Sequence, residues 1–323
     1  MDLRSRAWQV GKSVILCALV LRLYCDGAFR KAADFLTRPD VIPFLIYLET
    51  GRDVRFSVSS REPHSLESPP PQLALSLLPA FSGQEAEAVA LKDSGKFSPE
   101  LEKLLEQPLD WNLKGEEPTV LILHSHATES YTPSGESYRE SAPYRTLDED
   151  YNMVSVGARV AELLEAGGIT VIHSHTLHDH PSYDGAYASS RQEASELLAR
   201  YPTIRLVLDL HRDASGGDGG QLRTAVRLSQ GTAARLMLVM GGSHDRWEDN
   251  LSLAVKLQLQ LEAEAPGITR PIDLRTGRFN QDLCPGALLV EVGAAGNTQA
   301  EALAAAEVLA RAILSLAEGT RKV

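Results

Sequence analysis

From residue 119 onward, short runs of consecutive apolar residues alternate with longer segments whose apolar positions recur every three or four residues. Thr119-Val-Leu-Ile-Leu123 is too short for a helix and apolar throughout, as a strand buried on both faces must be. Residues 169–172, 206–210, 235–240 and 287–292 repeat that signature. Within 152–166, Val154, Val156, Val160, Leu163 and Leu164 fall at helical spacing, and Gly167-Gly168 stops the helix. Helices are also predicted over 188–200 and 247–261, and Thr298-Gln-Ala-Glu301 reads as a capping box opening an alanine-rich last helix. Strands separated by helices predict one α/β domain over 116–319, a mostly parallel sheet with helices on both faces.

The pattern upstream is different. Over residues 1–24, Arg4, Arg6 and Lys12 precede the apolar run Val14-Ile-Leu-Cys-Ala-Leu-Val-Leu21. No small-x-small cleavage site follows, so the segment reads as an uncleaved signal-anchor with the remainder of the chain outside the membrane. A second apolar stretch, Val41-Ile-Pro-Phe-Leu-Ile-Tyr-Leu48, suits a membrane surface or the start of the ectodomain. Residues 57–72 are polar and proline-rich, ending in Ser68-Pro-Pro-Pro-Gln72, a composition that favours extended polyproline structure over a core. Apart from a short helix predicted near 99–105, residues 25–115 read as a juxtamembrane region and linker.

Composition narrows the function. The net charge of −11 leaves no basic stripe for phosphate, which excludes a nucleic-acid partner. Cys17, Cys25 and Cys284 are too few and too scattered for a disulfide framework or a cysteine zinc site.

In a doubly covered parallel sheet, functional groups gather beyond the carboxyl ends of the strands. His124-Ser-His-Ala-Thr-Glu129 follows the first strand, His211 ends the third and Glu291 sits near the end of the last. A catalytic zinc takes about three protein ligands and keeps an open position. His126 and Glu129 in an HxxE spacing, with His211 as the distant third, supply that set. His124 stands two residues from His126, on the same side of an extended backbone; it is either a ligand in place of His126 or a partner that orients the site. Glu291, a carboxylate in an apolar strand, is the expected general base: burial raises its pKa, so it can take a proton from water and return it to a departing amine. His178, with His175 beside it, belongs to the histidine-rich loop 173–180, whose four histidines suit a metal site of their own, substrate contact or plain solvent exposure; His175 and His178 are taken as substrate-side residues outside the metal set. Arg212 and Asp213 are placed to orient His211, to grip a substrate carboxylate or to form a plain surface salt bridge. Gly216-Gly-Asp-Gly-Gly220 reads as a mobile loop.

Over 118–316 the chain resembles the stage II sporulation protein P family of peptidoglycan hydrolases. The resemblance is carried by His124-Ser-His-Ala-Thr-Glu-Ser-Tyr131, by Asn152 to Gly157, by His178-Asp-His-Pro-Ser-Tyr-Asp-Gly-Ala-Tyr187, by Asp209-Leu-His-Arg-Asp213, by Trp247-Glu-Asp-Asn-Leu251, by Arg278-Phe-Asn-Gln-Asp-Leu283, by Val290-Glu-Val-Gly293 and by Asn297-Thr298. It implies a zinc (Zn2+) N-acetylmuramoyl-L-alanine amidase that separates stem peptides from glycan, with endopeptidase action on cross-links as a second activity. It also implies work during forespore engulfment, between the mother-cell and forespore membranes, with stage II sporulation proteins D and M as partners. Two other readings stay open on the residues alone: a carboxypeptidase-like zinc peptidase and a non-catalytic wall-binding scaffold.

Overall fold

The computed structural model describes residues 78, 81–133, 137–214, 216–217 and 220–320. The expected anchor over 1–24 and the proline-rich stretch lie outside them. Among the described residues no helix is long and apolar enough to cross a membrane.

Among the described residues, eleven strands and five α-helices follow one another. The strands are β1 (Leu91–Asp93), β2 (Val120–Leu123), β3 (Val171–His173), β4 (Leu206–Asp213), β5 (Gly216–Gly217), β6 (Gly220–Gln221), β7 (Ala225–Leu228), β8 (Gly231–Ala234), β9 (Leu236–Gly241), β10 (Ile272–Arg275) and β11 (Ala287–Ala294). The helices are α1 (Leu101–Glu106), α2 (Met153–Ala166), α3 (Ala186–Arg200), α4 (Trp247–Glu264) and α5 (Gln299–Ala317). Seven strands form one sheet in the order β1-β10-β9-β11-β4-β2-β3. All neighbours are parallel except β9 and β11, so two parallel blocks run in opposite directions and meet at that pair. The expected α/β class and mostly parallel sheet hold. β10 escaped the apolar pattern because Ile272-Asp-Leu-Arg is half polar.

Alternation along each strand sorts its side chains between two layers. Val120, Ile122, Leu206, Leu208, Leu210, Leu288, Val290 and Val292 enter the main core with α2, α4 and α5. Leu121, Leu123 and Val207 point the other way and meet Ala194 and Leu197 of α3. That second face has one long helix where the first has three. Its β9–β11 part carries only a small cluster of Met237, Val239 and Leu289, with Tyr187 and Phe279 against it. Asp209, His211 and Glu291 share the parity of this thinly covered face.

The linker expected over 25–115 is corrected at its far end. Leu91–Asp93 pairs with Ile272–Leu274 as the sheet's edge strand. Leu78, Phe81, Leu104, Leu105, Trp111 and Leu113 are buried in the core. The fully buried Lys256 donates to the Leu104 carbonyl near the end of α1, where Ser252 Oγ also donates at 2.7 Å. Helix carbonyls with no partner in their own helix need such donors. The helix expected near 99–105 is α1, whereas the mixed polarity of 73–115 hid β1, a three-residue edge strand with little periodicity to read.

Candidate metal centre

The chain leaves the sheet after Leu123 and turns at once. In the turn Ser125 N–H donates to Asp209 Oδ1 at 2.8 Å and Ser125 Oγ–H to Asp209 Oδ2 at 2.6 Å, fastening the loop to β4. This swing carries His126 to the thinly covered face, where Asp209 and His211 already point. Glu129 arrives one turn later. Donor atoms of His126, Glu129 and His211 all lie within 4.8 Å of one another, and the three residues are buried. Among the described residues this is the one cluster of three or more such donors. Two imidazoles and one carboxylate fit a zinc ion that keeps an open position, so the expected ligands are brought together.

Each donor is held from behind. His211 Nδ1 faces Glu129 Oε2 at 3.8 Å, while its Nε2 faces Asp209 Oδ1 at 2.8 Å. Glu129 accepts the Arg212 backbone N–H at Oε2 (3.1 Å) and the Arg145 guanidinium at Oε1 (3.3 Å). Arg145 is pinned to Asp179 at 2.5 Å, and Asp179 also takes the Thr128 hydroxyl at 2.6 Å. The His126 ring lies flat against Tyr183 with centroids 4.5 Å apart, and Tyr187 meets it edge-on at 5.4 Å.

Charge follows this geometry. Burial, then the His211 charge, holds His126 below the ordinary imidazole range, so it is a neutral donor. Burial also pulls on His211, but Asp209 and Glu129 outweigh it and lift the imidazole to about 9. On the neighbouring strand, Glu291 is in register with His211. It is partly exposed as a residue, yet its Oε2 is shut off from solvent and meets no hydrogen-bond donor. Burial raises its carboxyl to about 8, with Glu129 and Asp213 adding and His211 opposing. β11 lies between β9 and β4, so Glu291 stands in the sheet's interior and not on an edge strand.

Three expectations about neighbouring residues change. His124 does not share a side with His126, because the turn begins between them. It is fully buried, its Nδ1 3.2 Å from the Leu210 carbonyl and its Nε2 3.0 Å from His173 Nε2. Burial drives it to about 3 and His173 to about 4, so both rings are neutral. His178 is buried, with Nδ1 2.9 Å from Ser189 Oγ and Nε2 2.8 Å from Glu193 Oε2; it ties its loop to α3 and does not face the donor cluster. Arg212 orients Glu129, not His211, with Nε and Nη2 donating to the Ser130 and Tyr144 carbonyls. His175 is exposed and pairs with Glu149, Asp213 accepts from Arg270 at 2.8 Å, and in the glycine loop β5 pairs with β6.

Asp209, Arg145, Asp179, Tyr183 and Tyr187 also stand at the site, although none was expected there. Asp209 shares parity with His211 two positions on, and Asp179, Tyr183 and Tyr187 stand in the segment 178–187 that carries part of the resemblance.

Residues 59–314 match the family described as Stage II sporulation protein P (SpoIIP). The chain is similar to Stage II sporulation protein P of Bacillus subtilis (strain 168), 28% identical over 207 residues, covering 61% of this chain and 50% of that protein. It thus spans about half the length of this curated relative. Among solved structures it is similar to an N-acetylmuramoyl-L-alanine amidase of Nostoc punctiforme (16% identity, 62% of this chain and 97% of that one, TM-score 0.38). It is also similar to the CwlD amidase from Clostridioides difficile, solved in complex with the GerS lipoprotein (14% identity, 61% and 94%, TM-score 0.38).

Proposed function

The chain belongs to the Stage II sporulation protein P family, and on that premise we propose that it is a zinc-dependent peptidoglycan hydrolase cleaving the amide between glycan and stem peptide. The observation that carries the reading is the buried His126–Glu129–His211 donor set with the unpartnered Glu291 Oε2 on the adjoining strand. Zinc held by these three donors supplies a Lewis acid that acidifies water and polarises an amide carbonyl.

The rest is work for the chain itself. Glu291 takes the proton lost by the attacking water and hands it to the amide nitrogen as that bond breaks, for which its raised pKa suits it. Asp209 keeps His211 turned toward Glu129. Arg212 and Arg145 hold the Glu129 carboxylate in place. Tyr183 stacks on the His126 ring and Tyr187 meets its edge, and together they keep the ring from turning. The two arginines at the site are both engaged, Arg145 by Asp179 and Glu129 and Arg212 by backbone carbonyls and Glu129. That engagement favours the amidase over a carboxypeptidase-like peptidase, which needs a guanidinium turned to a substrate carboxylate. We place the enzyme outside the cytoplasmic membrane, tethered through residues 1–24; that placement, like the partners D and M, rests on the sequence resemblance.

The test is incubation of the purified chain with intact sacculi, with zinc and after chelation. Stem peptides freed from glycan only in the zinc sample are the expected result. Trimmed peptide termini instead point to the carboxypeptidase reading, and hydrolysis that survives chelation removes the zinc mechanism.

A further inference from the structure

The donors of a metal centre must present the correct atoms, and a histidine has two nitrogens to choose between. Nothing in the HxxE spacing or in the distant His211 fixes that choice. In the folded chain the buried His211 Nε2 lies 2.8 Å from Asp209 Oδ1 and has no other partner, while Nδ1 lies 3.8 Å from Glu129 Oε2. Asp209 is itself buried and locked. Its Oδ1 accepts the Ser125 backbone N–H at 2.8 Å, and its Oδ2 accepts the Ser125 hydroxyl at 2.6 Å. Ser125 Oγ lies 2.7 Å from Ser190 Oγ on α3, and Ser190 Oγ is 3.3 Å from the Tyr187 carbonyl. The row therefore runs from helix α3, through the loop that carries His126, to the strand that carries His211.

We infer that Asp209, keyed by Ser125 and Ser190, is the positioning residue of the metal centre: it fixes the tautomer and ring angle of His211 so that Nδ1 is the donor atom. This rests on the metal-site reading above. The direction of the lock follows from one group. A backbone N–H cannot turn round, so Ser125 demands an acceptor at the very atom that faces His211 Nε2. A carboxylate meets that demand, and so does the carbonyl oxygen of an asparagine. In Asp209→Asn the new NH2 takes the Oδ2 place and donates to Ser125 Oγ. Ser125 then donates to Ser190, and Ser190 to the Tyr187 carbonyl. Every hydrogen in the row reverses, yet the face shown to His211 stays an acceptor. Asp209→Asn thus keeps the tautomer and removes only the charge, whereas Asp209→Ala removes both.

The experiment uses the whole chain, with zinc alone as the probe and two readouts. The first is zinc affinity by competition with a chromogenic chelator; partners that hold a metal-bound histidine are worth about 10- to 100-fold in affinity. Asp209→Ala is expected to weaken zinc by that factor, and Asp209→Asn by less. The second is the His211 Nε2 proton in the zinc-free chain, followed by ¹⁵N–¹H NMR. It is expected to be sheltered from exchange in the wild type and in Asp209→Asn and lost in Asp209→Ala. Unchanged zinc affinity in Asp209→Ala, or loss of the sheltered proton in Asp209→Asn, overturns the inference. If Asp209→Ala does not fold, the asparagine variant decides through its proton signal. A wild type that binds no zinc would refute the proposed function, while the Nε2 proton still judges the role of Asp209.

Discussion

At the scale of single residues, the chemistry hangs on two groups that burial and neighbours push away from their ordinary ionisation. Glu291 is the proposed base and touches no other hydrogen-bonding group through Oε2, so Glu291→Gln changes the chemistry with little change in shape. Zinc content is expected to stay that of the wild type, while turnover on sacculi falls about 10²- to 10⁴-fold, the range for removal of a general base; undiminished turnover would end its assignment. His211 offers a second test. Lifted to about 9, it carries a proton at neutral pH in the zinc-free chain. Zinc must displace that proton from Nδ1, so uptake at pH 7 should release about one proton, and apparent affinity should rise with pH until about 9. Calorimetric titration in buffers of different ionisation enthalpy measures the release, and a value of zero contradicts the raised pKa. His126, Glu129, His211 and Glu291 were readable in the sequence because polar residues at the ends of buried strands have few other reasons to be there. Asp209 was readable by the same parity rule but sat inside an apolar run. Arg145, Asp179 and the two tyrosines come from loops whose meeting is a tertiary event, with no spacing to announce it.

At the scale of elements, the loop after β2 decides what the site can be. The sequence places His124 and His126 on one side only if the strand continues through them. The fold ends the strand at Leu123, and the two rings part company, one to the metal face and one beneath α2. That burial needs room, and Gly157 on α2 provides it: a Cβ there would come within 2.5 Å of both His124 Nε2 and His173 Nε2. Gly157→Ala therefore sets two effects against each other. Alanine gains up to about 1 kcal/mol of helix propensity over glycine, whereas overpacking a tight core costs about 1–3 kcal/mol. The two imidazoles are stiff, and His124 is fully enclosed, so the steric cost should win. Urea denaturation is expected to give a net loss of about 1–2 kcal/mol, and a gain in stability would mean the histidine pair yields readily. The helices and strands themselves were legible wherever an element was long or wholly apolar, as at β2, β4, β11 and α2. The short strands of mixed polarity, β1 and β10, were not, and α1 was legible as a helix but not as part of the core.

At the scale of the whole molecule, those short elements set where the folding unit begins. A boundary at 116 follows from the first strong strand, yet the sheet order puts β1 at its edge, beside β10 from far along the chain. A chain beginning at residue 116 lacks Leu78, Phe81, Leu104, Leu105, Trp111 and Leu113, six large side chains that are buried in the core. Each buried apolar side chain is worth roughly 1.5–3 kcal/mol, so the shortened chain forgoes on the order of 10 kcal/mol, as much as a domain's entire stability. It also strips partners from what remains. Lys256 loses the Leu104 carbonyl, and Gln258 loses the Ala90 backbone groups that its amide now bonds at 2.9 Å on both sides. A buried ammonium with one carbonyl fewer and an uncovered α4 face both act against folding. The expected outcome is that residues 116–320 expressed alone show no cooperative thermal transition and bind hydrophobic dye, while residues 73–320 unfold in one sharp transition and bind zinc. A cooperatively folded 116–320 would return β1 and α1 to the status of a linker, and with them the sheet edge that closes this side of the core.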